Sequence, residues 1–143
     1  MATDLHLEVE KLRRWLATNR WVDGYDAWWT EGGVVGVVHD FLSRVPPDDW
    51  SEEEVTDLLY VLEQSSTDYV AELATRTEEM ALAIAEHSIA RGGIASDDIA
   101  EQLGRCVDRR AEAEALLMRF AQDEHERTRR IAVLSLAKLR SSE

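Results

Sequence analysis

Cysteine, proline and long apolar runs are scarce in this sequence, and these scarcities exclude several classes of protein. The single cysteine, Cys106, cannot form a disulfide within the chain, and one cysteine cannot make a zinc knuckle. No window reaches the roughly 18 apolar residues that a membrane-spanning helix needs. The N-terminal stretch, MATDLHLEVEKLRRW, carries acids where a secretory signal peptide carries positive charge. We therefore expect a protein of the bacterial cytoplasm.

Basic residues are also in the minority. The 143 residues include 29 acids against 16 lysines and arginines, which gives a net charge of −13. Residues 1–100 carry 21 acids and 7 bases, whereas residues 101–143 carry 8 acids and 9 bases. Such a charge repels phosphate backbones and anionic membranes, and it speeds encounter with a basic protein. It also keeps a small protein soluble, an explanation that needs no partner.

Apolar residues recur at helical spacing, which predicts an all-α fold. Residues 4–17 have this period and predict an amphipathic helix that ends near Thr18–Asn19. The valine-rich residues 34–45 begin like a strand but keep a helical period. Since an isolated strand would leave its backbone groups unpaired, we predict a helix there, ended by Pro46-Pro47.

Capping patterns and glycines mark further helix ends. Ser51 followed by Glu54 predicts a capping box at a helix start, and Asp123 with Glu126 has the same spacing. Residues 69–88 predict one long helix.

That long helix should end at Gly92-Gly93, and Ser96-Asp97 begins the next one. We predict a single domain over residues 1–143 with about seven helices. Its helices would pair as antiparallel hairpins, in a HEAT-like short α-solenoid or a compact helical bundle.

The last helix, ERTRRIAVLSLAKL, resembles the second helix of a HEAT repeat, and the stretch AEAEALLMRFAQD supplies its partner helix. The positions that fit the family pattern are Arg129, Ala132, Leu136, Ala137 and Leu139, while Thr128 stands where valine is usual. The resemblance covers residues 110–140. It implies a helical scaffold that presents one curved face to a partner. By its position on the helix, Arg129 can reach an acid near the preceding turn.

The densest run of charge is DDWSEEEVTD, residues 48–57, with six acids, one tryptophan and no base. A helix N-terminus favours acidic side chains, but capping uses only one or two of them. Two interpretations stay open: a charged helix start, or a docking strip around a tryptophan for a lysine- or arginine-rich surface. The residues predicted to contact a partner here are Trp50, Asp48, Asp49, Glu52 and Glu53.

The stretch RWVDGYDAWW, residues 20–29, gathers four aromatic side chains and two aspartates. On a helix the aromatics fall within one stripe, and core packing is the interpretation we favour because large aromatics are usually well buried. Two adjacent tryptophans cannot both point into one core. Trp29, with Asp23 and Asp26 beside it, is therefore a second predicted contact for a basic partner.

Sequence motifs for metal binding and catalysis are missing. The four histidines, His6, His39, His87 and His125, lie far apart, and neither Glu-x-x-His nor His-Glu-x-x-His occurs. Cys106 is expected to be a small buried apolar residue. We predict no metal, no cofactor and no enzymatic activity.

The arginines near the C-terminus admit one enzymatic interpretation. HEAT-like DNA glycosylases use a basic concave surface, and this part of the chain has a basic cluster of Arg109, Arg110, Arg119, Arg127, Arg129 and Arg130. Acids interleave with these arginines, which favours ion pairs along the helices, whereas a nucleic-acid groove needs a stripe of one sign.

The sequence therefore predicts a non-enzymatic, acidic, HEAT-like scaffold that docks on a basic protein. Its most specific form is an immunity protein that neutralises a toxin or nuclease, with no nucleic acid and no membrane as partner. The alternatives are a HEAT-like DNA-repair glycosylase, another enzyme without a recognisable motif, and a structural subunit of a homodimer.

Overall fold

A computed structural model describes residues 4–19, 34–64 and 69–141, and the secondary structure in these ranges is helical throughout. The eight α-helices of the described ranges are α1 (Asp4–Asn19), α2 (Val34–Arg44), α3 (Glu52–Gln64), α4 (Tyr69–Ala74), α5 (Glu78–Ala90), α6 (Ser96–Leu103), α7 (Arg110–Phe120) and α8 (Glu126–Arg140). A 3-10 turn, Pro47–Asp49, precedes α3. The all-α prediction is confirmed. Among the described helices, none combines the length and the apolar character that spanning a membrane requires.

The chain forms two compact units, which we call the first unit (Met1–Val61) and the second unit (Leu62–Glu143). In the first unit α1 packs against α2. The valine-rich stretch is helical, as predicted, because Val34 and Val38 bury one side of α2 together with Phe41. The buried apolar residues of this unit are Leu5, Val9, Leu12, Val34, Val38, Phe41, Leu42, Trp50, Val55, Leu58, Leu59 and Val61.

The second unit contains α4 to α8, and its first helices differ from the expectation of one long helix over residues 69–88. The chain forms two helices, with α4 ending at Ala74 and α5 beginning at Glu78. The Thr77 side chain caps α5 by accepting a hydrogen bond of 3.1 Å from the backbone N–H of Met80. The apolar period continues across this joint, so periodicity alone did not reveal it.

The predicted glycine stop of α5 is confirmed. Gly92 and Gly93 follow the helix with φ values of 83° and 89°, a region that favours glycine. The N–H of Gly93 donates to the carbonyl of Ser88 at 2.8 Å, and the N–H of Gly92 donates to that of Ile89 at 3.2 Å. These two bonds form a Schellman motif, which satisfies the last carbonyls of the helix.

Helices α7 and α8 pack together as a hairpin, and α8 also packs against α6. At one close approach, a Cβ added to Gly104 would lie 3.2 Å from the Cβ of Ser135. At another, Thr128 donates a hydrogen bond of 2.6 Å to Asp97 and lies 3.0 Å from the hydroxyl of Ser96. The hydroxyl of Thr128 therefore serves the contact with α6, a role that the side chain of valine could not fill.

Of the two local expectations for the start of α8, the capping box is wrong and the reach of Arg129 is met in a different form. Asp123 and Glu126 form no capping box, because Asp123 accepts from the N–H of His125 at 2.8 Å and Glu126 pairs with Arg130. Arg129 reaches back to the preceding turn, but it donates to the main-chain oxygen of Asp123 at 2.8 Å instead of to a carboxylate.

Candidate functional site

The acidic run before and within α3 divides into outward and inward carboxylates. Asp48, Asp49, Glu52 and Glu53 are exposed, and we call these four residues the acidic strip. Glu54 is only 9% exposed and Asp57 only 2% exposed. The six acids of the run therefore have two roles, because four face solvent and two are held within the unit.

A capping box fixes the start of α3 and with it the acidic strip. The N–H of Glu54 donates to the Ser51 hydroxyl at 3.1 Å, and the N–H of Ser51 donates to the Glu54 carboxylate at 2.9 Å. This is the reciprocal arrangement that the sequence predicts. It explains the burial of Glu54, whose carboxylate serves the helix end.

Trp50 is buried, whereas the centre of a docking strip would be exposed. The residue is 9% exposed, and its indole N–H donates to the carbonyl oxygen of Val45 at 3.1 Å. A large aromatic side chain gains more from burial than from standing in water. The indole thus anchors the turn that carries Asp48 and Asp49. The other predicted contacts, Asp23, Asp26 and Trp29, lie outside the described residues.

The inward carboxylate of Asp57 contacts a histidine of α1, the first helix of the unit. The Nδ1 atom of His6, on α1, lies 3.0 Å from Oδ2 of Asp57 and 2.9 Å from Oε1 of Glu53. Glu53 and Asp57 are four residues apart on α3, so one helix face presents both carboxylates. The exposed fractions of the side chains are 26% for His6, 57% for Glu53 and 3% for Asp57. We call these three residues the histidine–carboxylate group.

The electrostatics of this group favour bound protons. The hydrogen bond to Asp57 is the main cause that raises the pKa of His6, and the negative charges of Asp57, Glu53 and Glu10 act in the same direction. Burial raises the pKa of Asp57, and this effect outweighs the opposing hydrogen bond and charge of His6. A cation placed among these side chains would relieve the cost of burying the Asp57 carboxylate.

A second contact joins the same two helices. The guanidinium of Arg13 lies 3.8 Å from the centroid of the Tyr60 ring, within the range of a cation–π interaction. His6 and Arg13 are two turns apart on α1, and both contact α3. The position of His6 against Asp57 is therefore fixed at more than one point along the helix pair.

Among the described residues, the histidine–carboxylate group brings together three side chains that could act as metal ligands. One donor atom from each of His6, Glu53 and Asp57 lies within 4.8 Å of the others. Sequence reasoning missed this group because His6 is separated from Asp57 by 51 positions. The one local signal was the pair of carboxylates four residues apart, and it was hidden within a longer acidic run.

A groove in the second unit contains Cys106. It has a volume of about 420 Å³ and is lined by Glu72, Thr75, Arg76, Glu78, Gln102, Arg105 and Cys106. Burial raises the pKa of the Cys106 thiol to about 11. The thiol is therefore protonated near neutral pH, and it is not an activated nucleophile. The expectation of a buried cysteine is confirmed.

Arginines of the second unit pair with acids, as the sequence indicates. The shortest N–O distances are 2.7 Å for Arg109–Glu112, 3.2 Å for Arg127–Asp97, 3.0 Å for Arg130–Glu126 and 3.3 Å for Arg140–Glu114. These pairs break up the positive charge that a nucleic-acid groove would need. Beside them on α8, Val133 and Leu134 are exposed apolar side chains.

Comparisons with known proteins find no relative on which an assignment could stand. The chain matches no protein-family model, no curated protein and no solved structure.

Proposed function

We propose that this chain is a non-enzymatic protein-binding module that docks on a basic protein through the acidic strip. The single observation that carries this proposal is the exposure of Asp48, Asp49, Glu52 and Glu53 within one short segment. The strip lies at the start of α3, where the segment 48–57 contains no lysine or arginine.

The absence of ion pairs at Asp48 and Asp49 supports this proposal. Within the described part of the chain neither aspartate pairs with a lysine or arginine. Two bases of the same unit pair within their own helices, where Lys11 bonds Glu8 and Arg44 bonds Asp40. The negative charge of the two aspartates thus remains available to a partner.

The turn that carries these aspartates is held in place before any partner arrives. The N–H of Asp49 donates to the oxygen of Pro46 at 2.9 Å, and the N–H of Trp50 donates to that of Pro47 at 3.2 Å. The indole of Trp50 is buried beneath the turn. A preformed surface loses less conformational entropy on binding, which favours affinity.

The net charge of the whole chain also favours binding to a basic protein. A net charge of −13 would attract a cationic protein over a distance and raise the rate of encounter. Fast capture suits a neutraliser, which must reach its target before damage occurs. We therefore propose an immunity protein for a basic toxin or nuclease as the specific form of this function. A HEAT-like arrangement of its helical hairpins would supply the scaffold.

The decisive experiment measures association kinetics with a charge-matched control. Protein partners are first captured from the source cell on the immobilised wild-type chain, identified, and purified. The strip variant Asp48→Asn, Asp49→Asn, Glu52→Gln, Glu53→Gln should then associate about tenfold or more slowly at low salt. Its association rate should also depend less steeply on salt.

The control variant carries Glu79→Gln, Glu86→Gln, Glu101→Gln and Glu124→Gln. These four glutamates are exposed in the second unit, and their substitution changes the net charge by the same amount. The control should keep most of the wild-type rate, because only the strip faces the partner. Equal slowing of both variants would show that net charge alone drives the encounter. An unchanged rate for the strip variant would remove the strip from the interface.

A further inference from the structure

Three side chains from two helices converge in the first unit with the donor atoms that a metal ion uses. His6 offers an imidazole nitrogen, and Glu53 and Asp57 each offer a carboxylate oxygen, all within 4.8 Å of one another. The acidic strip accounts for Glu53 alone among these residues. Docking of a protein partner on the strip does not explain why His6 and Asp57 lie together.

The spacing of the donor atoms fits a common metal. Zinc binds nitrogen and oxygen ligands at about 2.0–2.2 Å, usually in a tetrahedral arrangement, so two of its ligands lie about 3.4 Å apart. The His6 nitrogen lies 2.9 Å from the Glu53 oxygen and 3.0 Å from the Asp57 oxygen. Small rotations of these side chains would therefore bring all three atoms onto one ion.

The charge of the group also fits a divalent cation. Two carboxylates and a neutral imidazole carry a charge of −2, and one of these carboxylates, that of Asp57, is almost fully buried. A buried carboxylate is stable when it is paired or coordinates a metal. Protonated His6 can supply only one positive charge, whereas a divalent ion compensates both carboxylates.

From these observations we infer that His6, Glu53 and Asp57 form a binding site for a divalent transition-metal ion of the Zn²⁺ class. The imidazole ligand favours such an ion over Mg²⁺ and Ca²⁺, which prefer oxygen ligands alone. Glu53 is 57% exposed, so the site opens to solvent on one side. Water or an outside ligand would complete the coordination there.

The position of all three side chains on helices supports a preformed site. Glu53 and Asp57 share one face of α3, and the capping box at Ser51 and Glu54 fixes the start of that helix. The contact between Arg13 and Tyr60 holds α1 against α3. Sites built on packed helices keep their ligands in place more precisely than sites on loops.

The test is calorimetric titration of the intact chain with Zn²⁺ alone at pH 7.5, after removal of metal with a chelator. The wild type should bind one Zn²⁺ per chain. Zn²⁺ binding should weaken by at least about tenfold in each of the variants His6→Ala, Asp57→Asn and Glu53→Gln. Substituting a residue that only orients a metal ligand already costs about tenfold or more in affinity, and losing the ligand itself should cost at least as much. With Co²⁺ as the probe, visible absorption bands of the bound ion should disappear in His6→Ala.

The matched control is His39→Ala, which removes an exposed histidine from α2 of the same unit and should leave Zn²⁺ affinity unchanged. Glu53→Gln changes an exposed side chain, so it tests the site even if substitution of buried Asp57 disturbs folding. Zn²⁺ affinity that does not respond to Glu53→Gln and His6→Ala would overturn the inference, and so would the absence of binding at millimolar Zn²⁺. The experiment contains no partner protein, so its failure would leave the docking proposal standing.

Discussion

Asp48 and Asp49, in the first unit, stand exposed before a helix, whereas Glu112 and Glu126, in the second, each pair with an arginine. Those pairs are local: Arg109 lies three residues before Glu112, and Arg130 lies four residues after Glu126. The two units thus contain the same kinds of charged residue and present different surfaces.

The difference between the units reflects both the balance of acids and bases and the spacing of opposite charges. Charges of opposite sign three or four residues apart on a helix meet on one face and compensate each other. The first unit contains such pairs too, for example Lys11–Glu8 and Arg44–Asp40. Acids that no lysine or arginine pairs with, as at Asp48 and Asp49 among the described residues, keep their field for an outside partner.

The prediction with the largest expected effect concerns whether the two units unfold separately. Phe41 in the first unit and Phe120 in the second are 4% and 2% exposed, and substituting either with alanine should cost about 3–5 kcal/mol of unfolding free energy. Helix α3 continues across the boundary between Val61 and Leu62. We therefore expect one cooperative transition in urea, shifted by both variants.

Two spectroscopic signals make this measurement specific. All five tryptophans precede residue 61, so tryptophan fluorescence reports the first unit, while far-UV circular dichroism reports helices of the whole chain. The two signals should give the same midpoint in the wild type and in both variants. Separate midpoints, with each substitution moving only one of them, would show two independent domains and contradict the prediction of a single domain.

A smaller effect is expected when a glycine of each unit is replaced by alanine, because the two glycines have different surroundings. At Gly104 an added Cβ would meet Cβ, Cα and O of Ser135 at 3.2, 3.3 and 3.3 Å, so the backbone of α8 would have to move. Gly104→Ala should therefore lower the unfolding free energy by about 1–3 kcal/mol. Urea denaturation followed by circular dichroism measures this change.

Gly36→Ala is the matched substitution in the first unit. Apart from its chain neighbours and the backbone of its own helix, no atom of the described residues lies within 4 Å of the added Cβ at Gly36, which is an interior residue of α2. Alanine should raise the unfolding free energy there by about 0.5–1 kcal/mol, because glycine loses more conformational freedom in a helix. A loss of stability in Gly36→Ala, or no loss in Gly104→Ala, would contradict the packing described at these two sites.

The features that the sequence predicts correctly depend on residues close together in the chain. The capping box of Ser51 and Glu54, the glycine stop after α5 and the helical period of Val34 and Val38 all have signals within a few residues. The same kind of signal also misled. Asp123 has the spacing of a cap, but its carboxylate accepts from His125 because the chain turns sharply at that point.

The features that the sequence does not predict depend on distant residues. His6 and Asp57 meet only because α1 and α3 pack together, and nothing near either residue indicates the other. Trp50 belongs to an acidic run, yet the turn directs its indole toward Val45 and out of the solvent. The hydroxyl of Thr128 has its role in a hydrogen bond to Asp97, on another helix. Sequence patterns carry no information on such pairings until the helices are placed.

The smallest expected effect is the pH dependence that the histidine–carboxylate group gives to the first unit. The pKa of His6 is raised from 6.5 by Asp57 and Glu53 of α3 and by Glu10 of its own helix. Protonated His6 therefore stabilises the folded state fully below pH 6.5, and this contribution is lost as pH rises through the higher folded-state pKa. Asp57, whose pKa is also raised, changes stability in the same direction but in a more acidic range, above its ordinary value of 3.8.

Unfolding free energies measured in urea from pH 6 to 9, with a chelator present, should show this effect as a difference between variants. The stability advantage of the wild type over His6→Asn should be largest at the acidic end and should shrink as pH rises, because only protonated His6 is held by the two carboxylates. His39→Asn measures what the loss of an exposed imidazole does by itself. If both variants follow the same pH profile, the contact of His6 with α3 is not its source. If the difference grows with pH, then His6 is held as a neutral imidazole and the direction of its pKa shift is wrong.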